Sequence, residues 1–135
     1  MITAVDTSVL LDILAADPTF GRASRQALID SSAVGSVIAC DVVWAETAAA
    51  FFGSEAAPDA MRALGVDFIA LDVACALKAG DVWREYHDRG GRRDRVIADF
   101  IVAAHAMTFA DRLLTRDRGF YRSYFKELTI IDPAG

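Results

Sequence analysis

The 135-residue sequence is poor in cysteine and in histidine, with two of each. Cys40 and Cys75 are far apart and each lies next to apolar residues, so we expect reduced core side chains, and neither a disulfide nor half of a zinc site. Neither histidine belongs to a serine or cysteine arrangement typical of a nucleophilic triad. These absences argue against a disulfide framework, a zinc site and triad chemistry.

Long hydrophobic runs are also missing, although 54% of the residues are hydrophobic. No apolar run approaches the roughly 20 residues that a membrane span needs. The N-terminal apolar run is interrupted by Asp6 and Asp12 and has no basic leader, which is not the form of a signal peptide. We therefore expect a cytoplasmic protein without membrane association, and a single domain over residues 1–135 that is long enough for its own core.

Basic residues are scarce in the first half of the chain. The formal net charge is -5, which argues against non-specific coating of nucleic acid, because that binding depends on clustered Lys and Arg. Most of the basic residues follow Asp81: Arg84, Arg89, Arg92, Arg93, Arg95, Arg112, Arg116, Arg118, Arg122 and Lys126. Two interpretations stay open, a locally basic rim around an acidic site or a solvated face.

Strand and helix patterns alternate along the chain. The predicted strands cover residues 2–5, 37–40, 66–71, 112–115 and 128–132. The first predicted helix begins after Asp6, and the second runs from about 23 to 32. Two more cover 41–53 and 58–64, a long one extends from 73 to about 88, and another begins at 96. A short turn or helix over 119–125 is the last. Asp41 and Asp72 are predicted N-caps. In the helix after Asp72, the residues predicted to face inward are Ala76, Leu77, Gly80, Val82, Trp83 and Tyr86. This alternation predicts an α/β fold with a single parallel sheet sandwiched by helices.

A carboxylate stands where the first predicted strand ends. Asp6 closes that strand, and Thr7-Ser8 leads into the helix pattern. Open α/β sheets bind ligands at the carboxyl ends of their strands. An ionised carboxylate among apolar groups costs several kcal/mol unless it is paired, hydrogen-bonded or bound to metal. Asp6 therefore belongs to a site or, alternatively, only caps the helix.

Three further acids share this unusual setting. Glu46 is the only charged residue in VVWAETAAAFF, the apolar helix pattern that Asp41 caps, and steps of three and four from it reach only apolar neighbours. Asp99 is the single carboxylate in the first turns of VIADFIVAAHAM, and Asp117 follows Thr115 by two residues at a strand end. Right-handed crossovers would place these two helix starts and two strand ends at one edge of the sheet.

A convergence of four carboxylates has a chemical consequence. At a few ångströms they repel one another strongly, so some are protonated or a divalent cation lies between them. Oxygen ligands without a His or Cys cluster indicate Mg²⁺, with Mn²⁺ as a substitute, rather than zinc. Such an ion activates water for displacement at phosphorus. The acids suggest phosphodiester hydrolysis, although acids at strand ends also serve phosphatases, receiver domains and sugar enzymes.

The remaining candidates favour structural roles. His105, six residues after Asp99, falls on roughly the opposite side of the helix and is predicted to be a packed core histidine. Aromatic residues such as Phe120 and Tyr124 could stack bases, with core filling as the alternative. The polar stretch HDRGGRRDR predicts a mobile loop, and its Gly90-Gly91 pair lacks phosphate-loop spacing.

Four stretches resemble, in order and spacing, the acidic motifs of PIN-domain nucleases, specifically of VapC-type toxins from bacterial toxin–antitoxin pairs. They are VDTSVLLDIL, WAET, IADFIVAAHA and LLTRDRGF. The resemblance spans nearly the whole chain and implies a PIN-like fold. It further implies a magnesium-dependent ribonuclease that cuts transfer, ribosomal or messenger RNA. The implied partner is a VapB-type antitoxin, bound to a toxin homodimer in a heterotetramer or larger assembly.

The resemblance also implies roles for individual residues. Asp6 and Asp99 match the principal metal ligands, and Glu46 and Asp117 match the two acids that complete the shell or hold metal-bound water. Hydroxyls that orient these acids are implied at Thr7, Ser8 and Thr115. No acid of the pattern is missing, so an active enzyme is expected.

Charge alone predicts contacts with RNA phosphate from the GGRRDR loop, Arg116 and Arg118. Two other functions stay open. A haloacid-dehalogenase-type phosphatase would use Asp6 as nucleophile, but it requires a second acid where Ser8 stands and a lysine for which Lys78 is poorly placed. The second is a non-catalytic PIN-like or receiver-like module for RNA binding or assembly. Metal binding would distinguish it from the nuclease.

Overall fold

The computed structural model describes residues 1–51, 55–92 and 95–135. Within these ranges, five strands and seven helices follow one another along the chain. The strands are β1 (Ile2–Val5), β2 (Ser36–Ala39), β3 (Val66–Phe68), β4 (Arg112–Leu114) and β5 (Ile130–Ile131). The helices are α1 (Thr7–Leu14), α2 (Gly21–Val34), α3 (Asp41–Ala48), α4 (Ala56–Ala63), α5 (Val73–Asp88), α6 (Ile97–Phe109) and α7 (Arg118–Tyr124). The predicted α/β class is confirmed.

The strands form one parallel sheet in the order β3-β2-β1-β4-β5. β1 is central, since Ala4 pairs with Ile38 of β2 on one side and with Leu113 of β4 on the other. The chain first builds outward from β1 to β3, and then crosses back to add β4 and β5 on the opposite side. The carboxyl ends of β1 and β4 therefore flank the point where the strand order reverses, which is where open α/β sheets bind ligands.

The central strand is covered on both faces. Successive side chains of a strand point to opposite faces, and Thr3, Ala4 and Val5 are 0%, 3% and 1% exposed. Right-handed crossovers place α1 to α4 over one face and α5 to α7 over the other. The predicted single parallel sheet between two helical layers is confirmed.

The two edge strands are shorter than predicted. β3 ends at Phe68 rather than at residue 71, and β5 contains only Ile130 and Ile131 of the predicted strand over 128–132. Each edge strand has a partner on one side only, β2 for β3 and β4 for β5. Leu128 is 7% exposed and packs into the core from outside the strand, so burial rather than pairing explains its apolar character.

The third helix departs from prediction at both ends. α3 ends at Ala48 instead of residue 53, and Gly53 itself lies outside the described residues. Cys40, not Asp41, occupies the N-cap position. The Asp41 carboxylate instead accepts a hydrogen bond from the Leu71 amide at 3.3 Å, which ties the start of α3 to the segment after β3.

Helix α5 is capped as predicted but buries a different face. The Asp72 carboxylate accepts a hydrogen bond from the amide of Cys75 at 2.8 Å. The predicted inward positions Ala76 and Leu77 are wrong, since both are exposed and Leu77 is 66% exposed. The helix packs on α6 through a stripe with helical spacing, which contains Cys75, Ala79, Val82 and Tyr86.

Buried polar groups agree with the sequence analysis. Cys40 and Cys75 are buried free thiols. His105 is 1% exposed, and its Nε2 lies 2.7 Å from the carbonyl oxygen of Ile69. Because a carbonyl only accepts, Nε2 carries the proton. The predicted core histidine is confirmed.

Two further findings concern helix length and the polar loop. In the part of the chain that the structure describes, no helix is both long and apolar enough to cross a membrane.

α5 continues to Asp88, so the polar loop predicted for HDRGGRRDR is shorter than expected. Arg93 and Asp94 lie outside the described residues, and the mobility of that loop stays a prediction.

Candidate metal-binding active site

Asp6 links the central strand to its neighbour and to the helix that follows. Its amide donates to the Leu114 carbonyl oxygen of β4 at 2.9 Å. Its Oδ1 accepts from the Thr7 amide at 2.8 Å, as an N-cap residue does. Its Oδ2 accepts from the Thr115 hydroxyl at 2.7 Å. Capping therefore occupies one oxygen, and each oxygen keeps a second lone pair for a further ligand.

Thr115 joins the ends of the two strands at the reversal point. It follows β4, is fully buried, and donates its hydroxyl proton to Asp6. The same hydroxyl oxygen accepts a hydrogen bond from the Asp117 amide at 3.0 Å. A single side chain thus orients the Asp6 carboxylate and fixes the backbone of the fourth acid.

Glu46 extends from α3 toward the same site. Its Oε1 accepts from the Thr7 hydroxyl at 2.8 Å. Glu46 is exposed, and Ala49 and Ala50, which follow the end of α3, are exposed as well. The apolar face that singled out Glu46 in the sequence is thus only partly covered, because Val43 is buried whereas the positions after Glu46 are open.

Asp99 lies in the first turn of α6 and is half-buried. Its Oδ2 accepts from the Val96 amide at 3.3 Å, at the positive end of the helix dipole. Burial raises the Asp99 pKa above its usual value. The Val96 amide and Arg95 oppose this rise, whereas the carboxylates of Asp117 and Glu46 add to it.

The Asp6 carboxyl feels the charges of two of the other acids. Burial raises the pKa of Asp6 to about 6. The hydrogen bonds from Thr115 and Thr7 lower the pKa, and the nearby charges of Asp99 and Glu46 raise it further. Mutual repulsion of this kind is the signature of carboxylates gathered from separate parts of a chain.

Asp117 differs from the other three acids because a cation neutralises it. Arg95 donates two hydrogen bonds to its carboxylate, from Nη1 to Oδ2 and from Nη2 to Oδ1, the latter at 3.1 Å. The Arg95 guanidinium carbon also lies 4.2 Å from the centre of the Phe120 ring. The sequence does not reveal this partner, since Arg95 lies 22 residues away in a stretch with other arginines.

A buried tyrosine is a second neighbour that the sequence did not identify as part of the site. Tyr121 of α7 is 1% exposed. Burial raises its pKa far above the usual value, and the charges of Asp6, Asp99 and Asp117 raise it further. Its hydroxyl is therefore neutral and supplies a hydrogen-bonding group within electrostatic reach of the acids.

The donor set fits a hard divalent cation. Asp6, Glu46 and Asp99 offer carboxylate oxygens, and among the described residues none of them has a Lys, Arg or His within ion-pair distance. Mg²⁺ and Mn²⁺ prefer oxygen ligands, and Mg²⁺ is typically held by one or two carboxylates with water and substrate oxygens completing its shell. In ranges 1–51, 55–92 and 95–135, no group of three or more Asp, Glu, His or Cys side chains lies close enough together to hold a metal ion.

The remaining predicted residues form no hydrogen bond with the four acids among the described residues. The Ser8 hydroxyl is buried and has no hydrogen-bond partner among the described residues. Arg116 donates to Asp12 at 2.6 and 2.9 Å, and Arg118 donates to the Gly135 carbonyl oxygen at 3.0 Å. The predicted RNA contacts of both arginines stay predictions.

Comparison with known proteins places this chain in a family. The family model for the PIN domain matches residues 3–126. The chain therefore belongs to the PIN-domain family. A comparison with curated protein sequences gave no significant match.

Solved structures with the same fold come from toxin–antitoxin complexes. VapBC2 from Rickettsia felis, bound to a promoter DNA fragment, matches with a TM-score of 0.76 and 16% identity over 98% of both chains. VapBC-1 from nontypeable Haemophilus influenzae matches with a TM-score of 0.74 and 17% identity over 100% of both chains. A toxin–antitoxin complex from Klebsiella pneumoniae matches with a TM-score of 0.71 and 19% identity over 97% of both chains. At these low sequence identities, the similarity shows a shared fold and no more.

Proposed function

We propose that this chain, as one PIN domain over residues 1–135, is a magnesium-dependent endoribonuclease that hydrolyses RNA phosphodiester bonds. One observation carries the proposal: Asp6, oriented by Thr115 and Thr7, lies at the strand-order reversal in mutual repulsion with Asp99 and Glu46. A site of uncompensated carboxylates is suited to a divalent cation and to the phosphate oxygens that such a cation attracts.

In the proposed site, some residues bind the metal ion and others orient the residues that bind it. Asp6 and Asp99 are the proposed principal metal ligands, with Glu46 and Asp117 completing the site or holding water. When bound, Mg²⁺ or Mn²⁺ supplies activation of water and stabilisation of charge at phosphorus. Thr115 and Thr7 keep the acids in place, as hydroxyl donors to Asp6 and Glu46 respectively.

The proposed biological role is that of a VapC-type toxin. Its support is the PIN family together with a fold shared with chains of VapBC complexes. The proposed setting is the cytoplasm, with a VapB-type antitoxin bound to a toxin homodimer. Co-expression with the product of a short neighbouring reading frame that has a DNA-binding N-terminus should give a stable complex. Failure of such complexes to form would contradict the toxin role without affecting the nuclease proposal.

Cleavage of a transfer RNA preparation with and without Mg²⁺ tests the chemistry. We expect Mg²⁺-dependent cleavage by the wild type, and none by Asp6→Asn at an unchanged unfolding temperature. Asp59→Asn is the matched control, because Asp59 is an exposed acid with a side chain that is 75% exposed. Full activity of Asp6→Asn would contradict the proposal.

Metal binding separates the nuclease from its alternatives. Calorimetry with Mn²⁺ should show binding to the wild type and not to Asp99→Asn. Equal binding to both, with RNA bound but not cleaved, would favour a non-catalytic RNA-binding or assembly module. Release of phosphate from a generic phosphomonoester, with an aspartyl phosphate trapped on Asp6, would favour the phosphatase.

A further inference from the structure

A cavity of about 450 Å³ opens beside the acidic site, between the end of α5, the loop after it and α7. Its walls include three aromatic rings and three arginines: Tyr86, Phe120, Tyr124, Arg89, Arg92 and Arg95. We propose that this arginine–aromatic groove binds one nucleotide of single-stranded RNA next to the bond that is cut. The inference rests on the proposed function for the position of that bond.

The aromatic side of the groove is formed by rings that pack against one another. The Tyr86 ring makes an edge contact with Tyr124 at 5.0 Å between centroids, and Phe120 lies 5.6 Å from Tyr124. Tyr86 and Phe120 are buried, whereas Tyr124 is only half-buried and offers ring surface to the groove. A π surface held in place by its neighbours is what an unpaired base stacks on, whatever its identity.

The loop that borders the groove packs against the Tyr86 ring. The Tyr86 hydroxyl donates to the Arg92 carbonyl oxygen at 2.7 Å. A Cβ atom built on Gly91 would lie 2.5 Å from the Tyr86 ring, so only glycine lets the backbone approach this closely. The contact fixes the path of the chain on both sides of Gly91, where Arg89 and Arg92 stand.

The charge of the groove differs from that of the whole molecule. The chain carries a net charge of -5, yet Arg89 and Arg92 line the groove and are both exposed. Neither forms an ion pair with a described residue. Guanidinium groups beside aromatic rings are suited to bind a nucleotide, because the cations can bind its phosphate while its base stacks on a ring.

Arg95 connects the groove to the acids. It lines the groove, stacks on Phe120 and donates to Asp117. An RNA strand with a phosphate at the acids therefore has its neighbouring nucleotide beside Arg95. An acidic peptide would also contact the arginines, but it would leave the half-buried Tyr124 ring without a stacking partner, so RNA is the occupant that the groove favours.

Binding to a short fluorescein-labelled single-stranded RNA tests the groove without cleavage. The measurement uses fluorescence anisotropy in the Asp6→Asn background with EDTA, over a salt titration. We expect Arg89→Gln and Arg92→Gln each to reduce the slope of log affinity against log salt by about 0.7. Tyr124→Ala should weaken binding by about 5-fold or more, and Tyr124→Phe should restore it, because stacking needs only the ring.

The matched control is Arg25→Gln, which removes one exposed arginine from α2, a helix that packs on α1 and β2. It should retain both the affinity and the slope. Arg89 and Arg92 are exposed, so their variants test the groove even if Tyr124→Ala unfolds. An unchanged affinity and slope in both arginine variants would overturn the proposal, as would a complete lack of RNA binding by the parent protein.

The two proposals fail in different ways. If the wild type binds RNA through the groove but does not cut it with Mg²⁺ or Mn²⁺, the nuclease proposal fails and the groove stands. If the wild type cuts RNA but the groove variants bind as well as Arg25→Gln does, the groove proposal fails and the nuclease stands. Cross-linking of 4-thiouridine RNA to Tyr124 or its neighbours would support the groove in either case.

Discussion

Arg116 and Asp12 form a doubly hydrogen-bonded ion pair at 2.6 and 2.9 Å, which ties the segment after β4 to α1. Asp12 is buried and also accepts from the Ser24 hydroxyl at 2.7 Å. The Arg116 guanidinium lies 4.1 Å from the centre of the Phe20 ring. Arg116 precedes Asp117, so the pair anchors the backbone next to this acid, whose side chain Arg95 contacts.

We expect Asp12→Ala to lower the free energy of unfolding by about 2–3 kcal/mol, because it leaves the partly buried Arg116 without its charged acceptor. Denaturant unfolding measures the loss. Asp59→Ala removes one partner of an exposed ion pair and should cost no more than about 1 kcal/mol. Equal effects of the two variants would contradict this account.

Replacing Arg116 with alanine tests its predicted contact with RNA. If Arg116 meets a phosphate, Arg116→Ala should weaken RNA binding and flatten its salt dependence by about 0.7 in slope. Asp12→Ala serves as the control, since it breaks the same pair and keeps the guanidinium. Arg116→Ala with the same salt dependence as the wild type would remove this residue from the RNA site.

Thr115→Val should reduce RNA cleavage by about 10–100-fold at nearly constant side-chain volume, because it removes the donor that orients Asp6 and the acceptor for the Asp117 amide. Initial rates at saturating Mg²⁺ and the Mn²⁺ affinity measure the effect. Thr108→Val is the control, since Thr108 is exposed and donates only to the Ala104 carbonyl of its own helix. A rate equal to that of the control would show that Thr115 does not orient the site.

Arg95→Gln should move metal and RNA affinity in opposite directions. Removal of a cation beside Asp117 and Asp99 should strengthen Mn²⁺ binding by about 5-fold or more, the effect of roughly 1 kcal/mol of repulsion. RNA binding in EDTA should weaken, because the groove loses one guanidinium. Calorimetry and anisotropy measure the two effects, and a parallel change in both would contradict this prediction.

His105 should make stability depend on pH. Burial lowers the pKa of His105 below the usual 6.5, although the Ile69 carbonyl and the charges of Asp41 and Asp72 partly oppose the change. Because the unfolded chain then binds the proton more readily than the folded one, stability is full above about pH 6.5 and falls below it, by up to about 1.4 kcal/mol per pH unit. Unfolding free energies over this range measure the slope.

His105→Gln provides the comparison, because the glutamine amide can still donate to Ile69 but does not titrate. The carboxylates of the protein are common to both variants, so the difference between their pH profiles reports His105 alone. We expect the wild type to lose more stability than His105→Gln as the pH falls. Identical profiles would show that His105 titrates equally in the folded and the unfolded chain, which would contradict this prediction.

The sequence by itself determined the α/β class, the parallel sheet and the position of Asp6 at a strand end, because alternating periodicities and helix caps are local properties of the chain. It also determined the family, because its four acids follow one another in the order and spacing of the PIN-domain motifs. Only the tertiary structure decided that Arg95 rather than another arginine pairs with Asp117, and that Arg116 pairs with Asp12. It likewise decided which stripe of α5 is buried and that Glu46 is exposed. Such contacts join residues far apart in the chain, so they depend on strand order and helix packing, which no local pattern encodes.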